Sequence, residues 1–259
     1  MKVDADVWSK WVKWIAVIEN DLATLVDDHA VFDVFQDVVE QNGPWITENE
    51  GGAFVDLVRR SFVASAFMTV RRHVKAEDKD AISLLRLLSE MAAQAHQITY
   101  DFYLSVHPVN SDDNWIWVRQ PGTFGKLSED GLVVFPGILR KDIVEAERLS
   151  GKIEEIADRQ IAHLDPRGTE AKATFDDLRQ YLKLFYDLVA KYILFFTGPS
   201  YGKTLQADLA FDPRRVFQHP FIKPSEPSAV RGGDRRQRRF WPRLVELYRQ
   251  LRRGSRSTR

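Results

Sequence analysis

Apolar residues recur at helical spacing through most of the chain. Between 5 and 41 they fall at Trp8, Trp11, Val12, Ile15, Val17, Ile18, Leu22 and Leu25. They resume at Val31, Val34, Phe35, Val38 and Val39. Steps of three and four predict a helix with one buried stripe, either continuous or as two helices joined near Asp27–His29. Asn42-Gly43-Pro44 predicts its stop. The pattern returns over 52–75 (Phe54, Leu57, Val58, Phe62, Val63, Ala66, Phe67, Val70) and over 80–95 (Ile82, Leu84, Leu85, Leu87, Leu88, Met91). A shorter helix is expected over Thr99–Val106.

The rhythm breaks over 107–136, which is rich in Pro, Gly, Asn and Asp and holds two apolar runs, WIWV (115–118) and LVVF (132–135). This predicts an irregular surface insertion carrying a small hairpin. Helix is expected again over 137–163, from Leu139, Ile143, Ala146, Leu149, Ile153 and Ile156, ending at Pro166-Arg167-Gly168. Thr174 suits an N-cap, with Asp176 and Asp177 in the positive first turn of a helix. That helix would bury Phe175, Leu178, Leu182, Phe185, Val189, Tyr192 and Phe196. Prolines 199, 213, 220, 224 and 227 mark 198–237 as loop-rich. A last short helix is expected over Pro242–Arg253. No sheet pattern, internal repeat or heptad seam emerges. The fold class is all-α: a helical bundle with an irregular insertion near 107–136 and a basic C-terminal tail.

Composition changes this picture in two places. The 259 residues carry 37 Lys and Arg against 37 Asp and Glu, but the neutrality conceals a division. Residues 231–259 hold eleven Arg and two acids, a net of +9; the remaining 1–230 is net −9. Two units follow: a helical domain over 1–230 and an Arg-rich tail over 231–259, partly helical or disordered. Arg235, Arg236, Arg238 and Arg239 are the densest run and the candidates for contacting RNA phosphates. The bland reading is a solvated end, or a tail folded onto the acidic body. The chain also has no cysteine, which excludes disulfides, thiolate metal sites and cysteine nucleophiles. MKVDADVWSKWVKW has no uninterrupted apolar core for a secretory signal, and LVAKYILFF (188–196) is too short and charged to span a membrane. A cytoplasmic protein with no membrane partner is expected.

Candidate chemistry is sparse. GPSYGKT (198–204) is one residue short of the phosphate-binding G-x-x-x-x-G-K-[ST] and follows a helical pattern rather than a strand, so Gly198-Pro199 reads better as a helix stop. The histidines at 29, 73, 96, 107, 163 and 219 form no metal-ligand spacing, so no metal and no cofactor is expected. Glu154–Glu155 read as a solvated face. No G-x-S-x-G is present. Arg71-Arg72-His73 close an apolar helix, where basic residues suit the dipole. Arg159 and His163 are one helical turn apart and share a face. An imidazole beside a guanidinium is a reasonable, though unspecific, constellation for phosphate chemistry.

Two segments, taken together, are more informative: VRRHVKAEDKDAISLLRLL (70–88) and IADRQIAHLD (156–165), the second followed by an apolar helix ending in YILFFTG. In this order and spacing the chain resembles the HEPN superfamily, in the branch related to abortive-infection proteins of bacterial phage defence. The resemblance covers roughly 5–220. It implies a HEPN-like helical bundle that forms a homodimer, with RNA as substrate and a cognate antitoxin protein as a further partner. Active members are metal-independent ribonucleases whose motif is Arg, four to six residues, then His. By that resemblance His163 is the general acid or base, and an arginine stabilises the phosphorane-like transition state. The RNA 2′-hydroxyl attacks the adjacent phosphate, leaving 2′,3′-cyclic phosphate ends. The chain departs from the motif: positions 156 to 158 hold Ile156, Ala157 and Asp158, and Arg159 is separated from His163 by only three residues. The expected catalytic set is therefore His163, Arg159 and Asp158, with Arg71 or Arg72 of another helix supplying the missing charge. The alternative is a catalytically silent HEPN-like dimer that binds RNA, a nucleotide or a protein.

Overall fold

A computed structural model describes residues 3–76, 80–107, 121–162, 171–197, 209 and 212–218. Among these, the protein is all-α, and its only β-type pairing is an isolated antiparallel bridge between Thr99 and Val133.

Helix α1 (Ala5–Gln41) runs without a break through Asp27–His29 and spans about 55 Å at 1.5 Å per residue. Asp4 caps it, accepting from the Asp6 N–H at 2.8 Å. Its buried residues are Trp8, Trp11, Ile15, Ile18, Leu22, Leu25, Phe32 and Phe35. From Trp8 to Phe32 these alternate steps of three and four, with His29 at the position between Leu25 and Phe32, and Phe35 follows after a second step of three. A heptad-type seam is thus present, contrary to the sequence expectation. Apolar residues off the seam, such as Val17 at 50% exposure, blur it in the sequence. Asn42 ends α1 through its backbone and side-chain N–H groups, both donating to the Val38 carbonyl. Pro44 then sits in the first turn of a short α2 (Gly43–Glu48), where its missing N–H costs nothing.

Helix α3 (Gly52–Val74) returns antiparallel to α1: Arg59 donates to Gln36 at one end, and Arg72 meets Asp21 at the other. Helix α4 (Leu84–Gln94) is capped by Ser83, whose Oγ accepts from the Arg86 N–H and donates to the Lys75 carbonyl. Glu90 of α4 accepts from Lys10 and Trp11 of α1. A 3-10 turn (Ala95–Gln97) leads to α5 (Tyr100–Val106), and α6 (Pro121–Gly125) follows. Helix α7 (Pro136–Ile156) packs on α3 and α4, and α8 (Phe175–Thr197) packs on α1 and α7. Paired residues show both α8 contacts to be antiparallel: Trp8 with Phe196 and Phe32 with Phe175 against α1, and Lys152 with Asp177 and Asp142 with Lys191 against α7. Helices α1, α3, α7 and α8 therefore close a four-membered ring around one core, with α4 wedged against α1, α3 and α7. Thr174 caps α8 as expected. Its Oγ1 accepts from the Asp177 N–H, and Asp177 accepts from the Thr174 N–H, a reciprocal capping box.

The described part of 107–136 is not a surface insertion. Phe124, Leu127 and Val134 are buried at 1%, 0% and 0% exposure. Backbone bonds from Val134 to Ile98 and from Tyr100 to Leu132 strap the segment onto the start of α5. LVVF pairs there, through Thr99, and so makes no hairpin among the described residues; WIWV lies outside them. The strap turns at Ser128–Gly131, where Asp130 accepts from the Leu132 and Val133 N–H groups and Gly131 takes φ +74°. Within the stretch read as loop, α9 (Pro213–Gln218) forms and packs on α1. No described helix is long and apolar enough to cross a membrane.

Candidate functional site

The α-helical bonding of α7 gives way at Ala157 to a π-helical turn, Ala157–Ala162, with its wider i to i+5 closure. Such turns are frequent at functional sites. It begins at the first residue of ADRQIA, the stretch leading to His163. This turn packs on α3, and the contact sets two cations against two carboxylates. Arg71 donates from Nε to Oδ1 of Asp158. Lys75, the residue that ends α3, donates to Asp158 Oδ2 at 2.9 Å and lies 3.3 Å from Glu154 Oε1. Lys75 and Glu154 escaped the sequence reading. Their signal was spacing: Lys75 follows Arg71 by four residues and Glu154 precedes Asp158 by four, each pair straddling the end of a helix.

The cluster is half-buried, with Arg71 at 25% and Asp158 at 30% side-chain exposure. Burial alone would raise the Asp158 pKa. Hydrogen bonds and charge from Lys75 and Arg71 outweigh it and hold the carboxyl below its ordinary range. Lys75 is pushed up, first by its bond to Asp158. Near the cluster, Tyr181 stacks on Phe185, whose ring lies 5.2 Å from that of His73. Burial, with a smaller contribution from the Glu154 charge, pushes the Tyr181 phenol well up, so it stays neutral.

The two arginines expected to supply charge diverge. Arg71 joins Asp158. Arg72 donates to the Asp21 carboxylate and to Thr69 instead, and His73 Nε2 meets the same Asp21 at 2.9 Å. These bonds, the His73 bond first among them, hold the Asp21 pKa down, although burial opposes them. Arg159 pairs with Glu155 at 3.1 Å, one turn back. Glu154 and Glu155 keep 32% and 39% side-chain exposure, and each is engaged by a cation. His163 lies outside the described residues, as do Arg235, Arg236, Arg238, Arg239, GPSYGKT and the helix expected over 242–253. Among the described residues, no three His, Asp or Glu converge as metal ligands.

Chemically, the arrangement is balanced: Arg71, Lys75 and Arg159 face Asp158, Glu154 and Glu155. A phosphate approaching Arg71 or Lys75 must compete with a carboxylate that already neutralises their charge and takes the Nε donor of Arg71. No family model, curated protein or solved structure matches the chain.

Proposed function

We propose that this chain is a HEPN-like helical module that binds RNA without cutting it, with the Arg-rich 231–259 as the main polyanion contact. The observation that carries the reading is the identity and bonding of residue 158. Counting back from His163, it is the nearest place the HEPN motif gives to arginine, and here it is a carboxylate occupied by Arg71 and Lys75. The charge that would neutralise a scissile phosphate is itself neutralised. The net positive charge that a polyanion would meet resides in the tail, at +9. A homodimer and a cognate antitoxin protein belong to the same reading, through the resemblance alone.

The test is binding of a labelled single-stranded RNA to the purified full chain in EDTA, with products examined for 2′,3′-cyclic phosphate ends. Binding without turnover is expected. Deleting 231–259 should weaken binding and flatten its dependence on salt. An unchanged salt slope removes the tail from the reading. A second reading, the metal-independent ribonuclease, is favoured by the π-helical turn that leads into His163, and by Arg71 being drawn to that turn from α3. Cleavage by the wild type that is lost in His163→Ala would establish it and overturn the silent module.

A further inference from the structure

A second group of polar side chains lies apart from the Asp158 cluster, on the α1–α8 side of the bundle. There a cavity of about 220 Å³ opens between the two helices, lined by Val26 and His29 of α1 and by Arg179, Leu182, Lys183 and Tyr186 of α8. Four of the six are hydrogen-bonding or cationic, and two are aliphatic. Their spacing explains the convergence. Arg179, Leu182, Lys183 and Tyr186 fall at steps of three and four on α8, and Val26 and His29 on α1.

The bonding in this cleft is incomplete. Asp33 bridges two of its groups, lying 3.3 Å from His29 Nδ1 and 3.5 Å from Arg179 Nη2. The second distance is long for a charge-assisted bond. Arg179 also reaches Asp176 at 3.1 Å, on an exposed flank. Lys183 is exposed and makes no ion pair among the described residues. With Nδ1 engaged by Asp33, the ring nitrogen of His29 left for a ligand is Nε2. The cleft thus offers an ammonium with no ion pair among the described residues, a guanidinium shared between Asp176 and a more distant Asp33, an imidazole nitrogen and a phenol above an aliphatic floor.

We infer that this cleft is a site for a phosphomonoester of sugar size, with Lys183 and Arg179 taking the phosphate and His29 and Tyr186 meeting the sugar hydroxyls. Two cations match a dianionic monoester, and Arg179 exchanges its long contact to Asp33 for shorter bonds to phosphate oxygens. The volume is below the usual range for drug-sized ligands and fits one sugar ring with its phosphate. A free sugar phosphate and the 5′-phosphorylated ribose of an RNA end share this chemistry. The inference does not depend on the tail or on the Asp158 cluster.

The test is calorimetric titration of the full chain with ribose 5-phosphate, beside ribose and inorganic phosphate. Ribose 5-phosphate should bind at least about tenfold more tightly than either fragment. Lys183→Ala should weaken it about tenfold, and Asp33→Asn should strengthen it by removing one of the two carboxylates that compete for Arg179. Both side chains are on the surface, so folding should be retained; far-UV circular dichroism checks this. Competition by a short RNA with a 5′-phosphate, but not by its 5′-hydroxyl twin, would identify the RNA end as the ligand; equal failure of both would identify the free sugar phosphate. The inference is overturned if ribose 5-phosphate gives no saturable binding even in Asp33→Asn. It is also overturned if Lys183→Ala binds as tightly as the wild type, which would move the contact to other arginines.

Discussion

Replacing Asp158 by asparagine should make the protein less stable and a better RNA binder at once. The substitution keeps the shape of the side chain and removes its charge. Arg71 and Lys75 then lose the counter-charge they now share, and only Glu154, 3.3 Å from Lys75, remains to compensate. Fully exposed ion pairs are worth about 0–1 kcal/mol, and buried hydrogen bonds to charged groups about 1.5–3. The cluster, at 25–35% exposure, lies between these limits. A loss of about 1–2 kcal/mol is expected, or roughly 3–6 °C in Tm for a domain of this size. The sign with pH is defined. The folded pKa of Asp158 is depressed, so its contribution is present above the ordinary carboxylate range and lost as pH falls through the folded value. The Tm gap between wild type and Asp158→Asn should therefore be full at pH 7 and close in acid. For RNA, two unmasked cations should steepen the plot of log affinity against log salt by up to about 1.4, taking 0.7 per phosphate contact on a single strand. Fluorescence anisotropy at several salt concentrations, beside thermal melts in steps from pH 7 down to pH 2, measures both. If RNA affinity and salt slope stay unchanged while Tm falls, the cluster only fastens α3 to the turn after α7. The masking argument would then be wrong.

Three further outcomes follow from the fold. Leu127→Ala should cost about 2–5 kcal/mol in urea unfolding, whereas Leu132→Ala, at a position 67% exposed, should cost little; equal effects would contradict a strap built into the core. Thr174→Ala should cost about 1 kcal/mol through loss of the α8 capping box, while Thr47→Ala, whose hydroxyl only donates back to the Gly43 carbonyl, should leave the melt almost unmoved. His29 should titrate below 6.5 by NMR, because burial, aided by the Arg179 charge, outweighs the pull of Asp33. It should therefore withdraw stability as pH falls and the unfolded chain takes up the proton first; a midpoint above 6.5 would contradict its placement in the α1 seam.

What the sequence reveals here depends on how local each determinant is. The helices were legible because their apolar positions repeat within a few residues, and the Thr174 cap because its partner is three residues away. The α1 seam was obscured by apolar residues such as Val17 and Val12 on neighbouring faces, although Trp8 through Phe32 carry the alternation. The strap was misread because its burial rests on backbone bonds to Ile98 and Tyr100, some thirty residues upstream, which composition does not encode. At the candidate site, Asp158, Arg159 and Arg71 were each singled out, but the bond joining Arg71 to Asp158 crosses 87 positions. Asp158 and Arg159 point to different partners because they sit one residue apart on a helical turn, and the widening of that turn has no simple residue signature.

The pairing of α1 with α8 bears on how the chain is made. Trp8 rests against Phe195 and Phe196, so α1 finds part of its cover in a helix synthesised long after it. At translation rates of about 5–20 residues per second, roughly 8–30 s separate the end of α1 from the end of α8. Through that interval α3 and α4 are available to cover part of the seam of Trp11, Ile15, Ile18 and Leu22, but the side that α8 closes stays open to water or to whatever apolar surface is nearest. Growing chains on neighbouring ribosomes carry the same uncovered seam. Expression slowed between α1 and α8 should therefore favour aggregation, whereas a chaperone that shelters amphipathic helices should raise the yield of folded protein.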